Sequence, residues 1–335
     1  MTALSSTDAQ QGGPGHHAAA SRSTWLRDWA DVVPAANGTV WLERDALGDA
    51  TPALLAPAGT DTPWAPRTVP AASRSACTAF LDGIQRSRVC AWVRGVPIIE
   101  SVVGATVRMR RDRRFVDGGT HARRLVLAPS ACVPEAVHAH MARAGVEFVP
   151  VEVSAEDSHP DVARAAAMAL VSAARATLER QLAEEWLRTA GADHRLVLDG
   201  GLGISETVAT SRQVIGVVKS HGTLYASGTA REVVFGLRPG ERTTVAPHRR
   251  GVRGPEVATW YLRLRAPLGG DPLFGLVRVE QAIAGGAGET EARADEWAAW
   301  LLLERQPVAL PDPRWDRLLY GVAACERYLT ARLGY

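Results

Sequence analysis

Hydrophobic and polar positions follow two patterns along this 335-residue chain. Short, nearly continuous apolar runs, the kind that become buried strands, occur at ACTAFLDG (76–83), SRVCAWVRG (87–95), VPIIESVVGATVRMRR (96–111), RRLVLAPSA (123–131) and VEFVPVEV (146–153). Residues 134–144 carry a short helical pattern between the last two. From Pro160, suited to the first turn of a helix, an Ala-, Leu-, Arg- and Glu-rich stretch runs to about Thr189, and Gly191 stops it. A second β-rich block follows at RLVLDGGLG (195–203), VIGVVKSHGTLY (214–225), 231–237, 243–247, 257–265 and 266–282, the last entered through a Gly-rich turn. Helices at 290–304 and 316–332 close the chain. There is no internal repeat of the length that builds solenoids or propellers. The order β-rich, long helix, β-rich, two helices predicts one mixed α/β domain.

The N-terminal quarter reads differently. Residues 1–22 are rich in Ser, Gly, Gln and His and predict a disordered tail. Residues 24–33 (TWLRDWADVV) suggest a short helix, and the Pro/Ala-rich stretch 50–72 an extended connector. The expected organisation is therefore a tail (1–22), a helix and linker (23–74) and a main domain (75–335). Apolar residues make up 46% and charged residues 22%, which excludes a disordered chain. A net charge of +2 excludes a wholesale polycation but leaves room for a local basic groove. No apolar run reaches the ~18–20 residues of a membrane span. The first 23 residues lack the basic and apolar regions of a secretory signal, so a cytoplasmic protein is expected. The four cysteines, Cys77, Cys90, Cys132 and Cys325, are widely spaced with no CxxC pair. That argues against a zinc site or a disulfide framework and for small buried apolar residues.

Candidate chemistry is carried by acids. Two apolar runs end in Asp-Gly, at Phe80-Leu81-Asp82-Gly83 and Val197-Leu198-Asp199-Gly200. An acid at the end of a buried strand sits at a sheet edge, where ligands collect in α/β folds; Asp-Gly is equally a common turn dipeptide. The long helix lies between the two sites. Glu179, Leu182, Ala183 and Trp186 share one of its faces at i, i+3, i+4 and i+7. A carboxylate on an apolar face needs a partner: either the shared site or Arg175, one turn earlier. Glu184 falls on a solvent-like face and Glu185 between the two. Carboxylates from two strands and a helix converging on one spot would repel unless Mg²⁺ or Mn²⁺ neutralised them. Two such ions ~3.5–4 Å apart can clamp a phosphoryl displacement, the phosphodiester chemistry of ribonuclease-H-like proteins.

Lys219 is the only lysine among 38 basic residues. It ends the apolar strand that follows the second Asp-Gly, where its ammonium could hold a scissile phosphate or stabilise developing charge. Arginine, a wide planar fork, would not be equivalent there; chance survival of one lysine is the plain alternative. Arg108, Arg110, Arg111, Arg113 and Arg114, with Arg123 and Arg124, form the densest basic run, and Arg249, Arg250 and Arg253 a second; such clusters suit phosphate contacts or solvated loops. His221, beside Lys219, is a candidate substrate-side group or a turn residue. The GGLGIS run at 200–205 lacks a P-loop ending and a GxSxG elbow.

The blocks LDGIQRSR (81–88), the helix bearing Glu179, LVLDGGL (196–202), VIGVVKSH (214–221), GERT (240–243), LVRVE (276–280) and YGVAACERYL (320–329) together resemble the NurA nucleases over about residues 75–330. The resemblance implies a ribonuclease-H-like mixed sheet flanked by helices, here with an N-terminal extension. It also implies a ring-shaped homodimer and Mn²⁺-dependent cleavage of single-stranded DNA and duplex ends, as a 5′–3′ exonuclease and single-strand endonuclease. It further implies partnership with a HerA-type hexameric ATPase in end resection and double-strand break repair, which would associate the protein with the nucleoid. Carried over by motif, Asp82, Glu179 and Asp199 are the metal ligands and catalytic acids. The chain departs from the pattern in having Ile84 after the first Asp-Gly, Gly201 in place of a proline, and no histidine after His248. Either Glu326 or Asp316 replaces the late histidine, or there is no fourth ligand; small residues Gly321, Ala323 and Ala324 favour Glu326. The competing expectation is a catalytically inactive ribonuclease-H-like DNA-binding or scaffold subunit. A third, a sugar- or nucleotide-phosphate enzyme, lacks a motif.

Overall fold

Three strands that follow one another in the chain form the backbone of the molecule. In the computed structural model, residues 64–153, 159–249, 254–305 and 317–333 are described, together with three short strands nearer the N-terminus. Those three are β1 (Val32–Pro34), β2 (Trp41–Leu42) and β3 (Leu54–Leu55), followed by β4 (Pro66–Thr68). Then come β5 (Ala79–Val93), β6 (Val96–Arg111) and β7 (Arg114–Ala128), an antiparallel meander. The helix α1 (Glu135–Arg143) and strand β8 (Glu147–Pro150) lead into α2 (Pro160–Thr189). After α2 the chain forms β9 (Leu196–Asp199), the short α3 (Glu206–Ala209), β10 (Val214–Val218) and β11 (Thr223–Leu224). The remainder is α4 (Gly228–Gly236), β12 (Glu241–Thr243), β13 (Ala246–Arg249), β14 (Glu256–Arg263), β15 (Leu276–Gln281), α5 (Ala287–Glu304) and α6 (Tyr320–Leu333).

The central sheet runs in the order β4-β12-β14-β15-β10-β9-β5-β6-β7-β8. At its middle, the meander β5-β6-β7 is extended by β9 and β10, each parallel to its neighbour on the β5 side, with α2 as the crossover. A three-strand meander, a crossover helix and two added parallel strands define a ribonuclease-H-like α/β sheet. Helix α2 covers one face. Its residues Ala167, Val171, Leu178, Leu182 and Trp186 pack with Leu81, Leu125, Leu127 and Leu198. Helices α5 and α6 cover the other, where Phe80, Val197, Ile215 and Val217 meet Trp297, Leu301, Val322 and Cys325. Gly321 makes that approach possible, since a Cβ there would lie 2.1 Å from Phe80 Cγ. The Cys325 thiol donates to the Phe80 carbonyl at 3.3 Å.

Several elements depart from their sequence expectation. The runs 76–83 and 87–95 are one continuous strand, β5, so Asp82-Gly83 lies inside a strand and makes no turn. The polar segment between them stays extended because β6 pairs with it throughout, from Ala79 to Val93. Strand β7 begins at Arg114, well before the apolar run at 123–131, because a tight turn through Asp112 and Arg113, both at positive φ, returns the chain directly onto β6. The Val-rich segment at 231–237 is helical, as most of α4, with Val234 buried against the Trp64–Tyr261 cluster. Val32 and Val33, expected at the end of a helix, form β1 against β5; residues 24–31 lie outside the described residues. All four cysteines are free; Cys77, Cys90 and Cys325 are buried as expected, while Cys132 is only half-buried.

Candidate active site

Strand register assembles the site. Phe80 pairs with Val197 and Leu81 with Leu198 between the parallel strands β5 and β9, so Asp82 and Asp199 fall at the same level. Asp199 pairs in turn with Val217 of β10. Alternation along each strand sets the direction. Phe80, Val197 and Val217 face α5 and α6, and Asp82, Asp199 and Lys219 follow them by two residues on the same side. Lys219 lies just past the end of β10, and its Nζ is 3.0 Å from Asp199 Oδ2.

Glu179 comes from the opposite face. It is buried in α2, and its Oε1 accepts from Arg175 Nη1 at 2.8 Å. Arg175 is held in turn by Gln85 Oε1 at 3.1 Å. What lets Glu179 reach β5 is Gly83, where a Cβ would sit 2.3 Å from Glu179 Oε1. Glu179 thus pairs with Arg175, the second of its two options, and reaches Asp82 only as the weakest of the charges that act on it from across the strand. Glu185 bonds His121 at 2.8 Å and is half exposed, and Glu184 pairs with Arg180.

The electrostatics tie five groups into one cluster. Asp82 is 2% exposed, and its pKa is raised well above the usual carboxylate range. Burial is the first cause and Asp199 the second; Glu326 and Glu179 add to it, and Lys219 opposes it. For Lys219 burial opposes the charge, but Asp199, Asp82 and Glu326 outweigh it and raise its pKa. Asp82 Oδ1 accepts from the Gly83 amide at 2.7 Å, while Oδ2 is buried without a hydrogen-bond partner among the described residues. Glu326 enters this field from α6, one position after Cys325, whose thiol is itself pushed up by burial and then by Asp82.

Carboxylate oxygens are the donors a hard divalent cation takes, the acids around Asp82 repel one another, and Asp82 Oδ2 is buried without a partner among the described residues. Among the described residues, however, no three His, Cys, Asp or Glu side chains stand close enough together to hold a metal ion. Lys219 supplies the counter-charge beside Asp199 instead.

The expected DNA-binding residues divide. Arg111, at the β6–β7 hairpin, is exposed, and Arg249 is half exposed with Glu256 3.9 Å away. Arg108 bonds the Phe115 carbonyl at 2.8 Å, and its guanidinium lies 4.1 Å from the Tyr328 ring centre. Arg110 is a correction. Its guanidinium makes two bonds to Glu304, at 2.7 and 2.6 Å, which fixes α5 to the sheet and leaves it a structural cation. His221 is a second correction. It is buried against Tyr261, bonds the Leu276 carbonyl at 2.9 Å, and has its pKa pushed down to about 4 by burial, so it does not face substrate. Arg250 and Asp316 lie outside the described residues. Two contributors escaped the sequence reading: the Gly83 clearance and the buried pair Arg278–Glu280. The signal for the second was present, since two charges at i and i+2 interrupt an apolar strand on one face.

No protein-family model matches the sequence, and no curated protein matches it. Among solved structures, the NurA nuclease from Sulfolobus solfataricus aligns over 80% of this chain and 82% of its own, with 12% sequence identity and a TM-score of 0.47. Among the described residues no helix is long and apolar enough to cross a membrane.

Proposed function

We propose that this chain is a divalent-metal-dependent DNA nuclease of the NurA type. The observation that carries the reading is that Asp199, Lys219, Glu326 and Glu179 all act electrostatically on the buried Asp82, at the level where two parallel strands end their pairing. Asp82 and Asp199 would hold Mn²⁺ or Mg²⁺, with Glu179 and Glu326 as further oxygen donors. A bound metal would supply charge neutralisation at the phosphate and activation of the attacking water. Arg175 holds the Glu179 carboxylate in place through an ion pair at 2.8 Å. Lys219, 3.0 Å from Asp199, would donate from Nζ to a phosphate oxygen. Arg108, Arg111, Arg249 and Arg250 contact the DNA backbone. By motif resemblance, the proposed setting is a homodimer docked on a HerA-type translocase and resecting broken DNA ends with 5′–3′ polarity.

End-labelled single- and double-stranded DNA, titrated with Mn²⁺ with and without the ATPase, tests this. Asp82→Ala and Asp199→Ala should fold, bind DNA and lose on the order of 10²-fold or more in rate. Lys219→Arg should lose most cleavage while keeping metal binding. Wild-type turnover in Asp82→Ala or Asp199→Ala would sink the assignment. A wild-type protein that binds DNA but never cuts it would leave the scaffold alternative standing.

A further inference from the structure

The segment that carries Asp199 out of its strand is held from behind the sheet. Gly200, at φ +132°, donates its amide to the Val217 carbonyl at 3.0 Å and turns the chain back across β10. Gly216 leaves the space for that crossing, since a Cβ there would sit 2.4 Å from the Gly200 carbonyl oxygen. In the neighbouring strand, Gly216 is paired with Glu280. Val277 and Val279 of β15 face α5 and α6, so Arg278 and Glu280 face the other way, under the returning loop. Glu280 Oε2 accepts the Leu202 amide at 2.7 Å, and Leu202 is fully buried. Gly201 passes so close that a Cβ would lie 2.8 Å from that same oxygen. Glu280 is 3% exposed, and its other oxygen is 2.5 Å from Arg278 Nη1, which also bonds Thr259. His248 Nε2 stands 3.9 Å away.

We infer that Glu280 is a positioning residue for Asp199: a buried carboxylate, fixed by Arg278, that anchors the Asp199–Leu202 turn and so sets where the Asp199 carboxylate stands. This rests on the reading of Asp199 as a metal ligand. A buried ion pair of this kind costs desolvation and is weak support for stability alone. Groups behind a metal ligand, by contrast, commonly tune affinity by about 10–100-fold. It also accounts for glycine at 201, where the backbone passes against a carboxylate oxygen.

The test compares Glu280→Ala, Glu280→Gln and Gly201→Ala with Asp295→Ala, which disturbs the separate Arg242–Asp295 pair. Amide hydrogen exchange over 199–203 is read in metal-free protein, and Mn²⁺ affinity by electron paramagnetic resonance. Glu280→Ala should speed exchange of the segment and weaken Mn²⁺ about 10-fold or more. Glu280→Gln keeps an acceptor for the Leu202 amide and should recover most of both. Gly201→Ala, which keeps the Glu280–Arg278 charges, should also weaken Mn²⁺, so the proposal stands testable even if Glu280→Ala fails to fold. Asp295→Ala should lower Tm and change neither readout. Unchanged exchange in Glu280→Ala or Gly201→Ala, or an equal Mn²⁺ loss in Asp295→Ala, overturns the positioning role. Wild-type protein that binds no Mn²⁺ refutes the metal reading instead, with the exchange arm still deciding whether Glu280 orders the turn.

Discussion

Asp82 is a buried acid held against its charge. Its raised pKa means that the folded protein disfavours the ionised carboxylate, so above that pKa the charge costs folding free energy. Asp82→Asn should therefore raise Tm in EDTA near neutral pH while removing cleavage. Mn²⁺ should raise the Tm of the wild type, because it binds only the folded state, and should leave Asp82→Asn unmoved. A lower Tm for Asp82→Asn in EDTA would contradict the strain argument. His221 gives a second pH effect with the opposite sign. Its folded pKa is about 4, against 6.5 for an ordinary histidine. Above pH 6.5 both states are neutral and the contribution is complete; as pH falls from 6.5 to 4 the unfolded chain takes up a proton that the folded one refuses. Stability should decline across that window by about 3 kcal/mol. His221→Gln, which can still donate to the Leu276 carbonyl, should flatten that part of the stability–pH curve measured by urea unfolding.

Two helices reach the central strand through glycine, and each contact can be broken singly. Gly83→Ala places a methyl where Glu179 Oε1 now lies. The backbone tolerates alanine there, so the protein should fold, with Glu179 displaced and cleavage reduced about 10-fold or more by the loss of a positioned acid. Near-normal turnover in Gly83→Ala would remove Glu179 from the reaction. Gly321→Ala drives a methyl into the Phe80 ring and lifts α6. Overpacking of this type costs about 1–3 kcal/mol. It should also shift Glu326, so its Tm loss should come with weaker Mn²⁺ binding.

For the molecule as a whole, the sheet separates two tasks. One face, under α2, carries Leu81, Leu198 and the Glu280 anchor; the other, under α5 and α6, carries Asp82, Asp199 and Lys219. Backbone arginines such as Arg111 and Arg249 stay exposed, while Arg110 and Arg242 lock helix α5 onto the sheet. DNA affinity should consequently fall with salt, with a slope reduced by about 1 when Arg111 is replaced by Ala and unaffected by changes at Glu304 that leave the fold intact. The proposed homodimer should appear in light scattering at micromolar concentration; a monomer there would contradict it.

Local pattern was enough for the elements that carry the candidate residues and insufficient for how those residues meet. The span of α2, the face bearing Glu179, the strand ending at Asp199 and the isolation of Lys219 are all written in short-range periodicity and composition, because burying one side of a helix or strand imposes a repeat on neighbouring residues. The continuity of β5 was not legible: GIQRS reads as a break, and only pairing with β6 keeps it extended. Nor could the basic run show that Arg110 belongs to Glu304, a partner 194 positions away. Helix α4 carries a strand-like Val-Val-Phe run, and its packing on Tyr261 and Leu276 overrides that propensity. Gly83, Gly201 and Gly216 look interchangeable as letters, yet each admits a specific atom from elsewhere in the chain. Residue type and spacing thus set which groups could act, whereas strand register and the clearance left by missing side chains set which of them meet, since those contacts join segments whose sequences carry no record of one another.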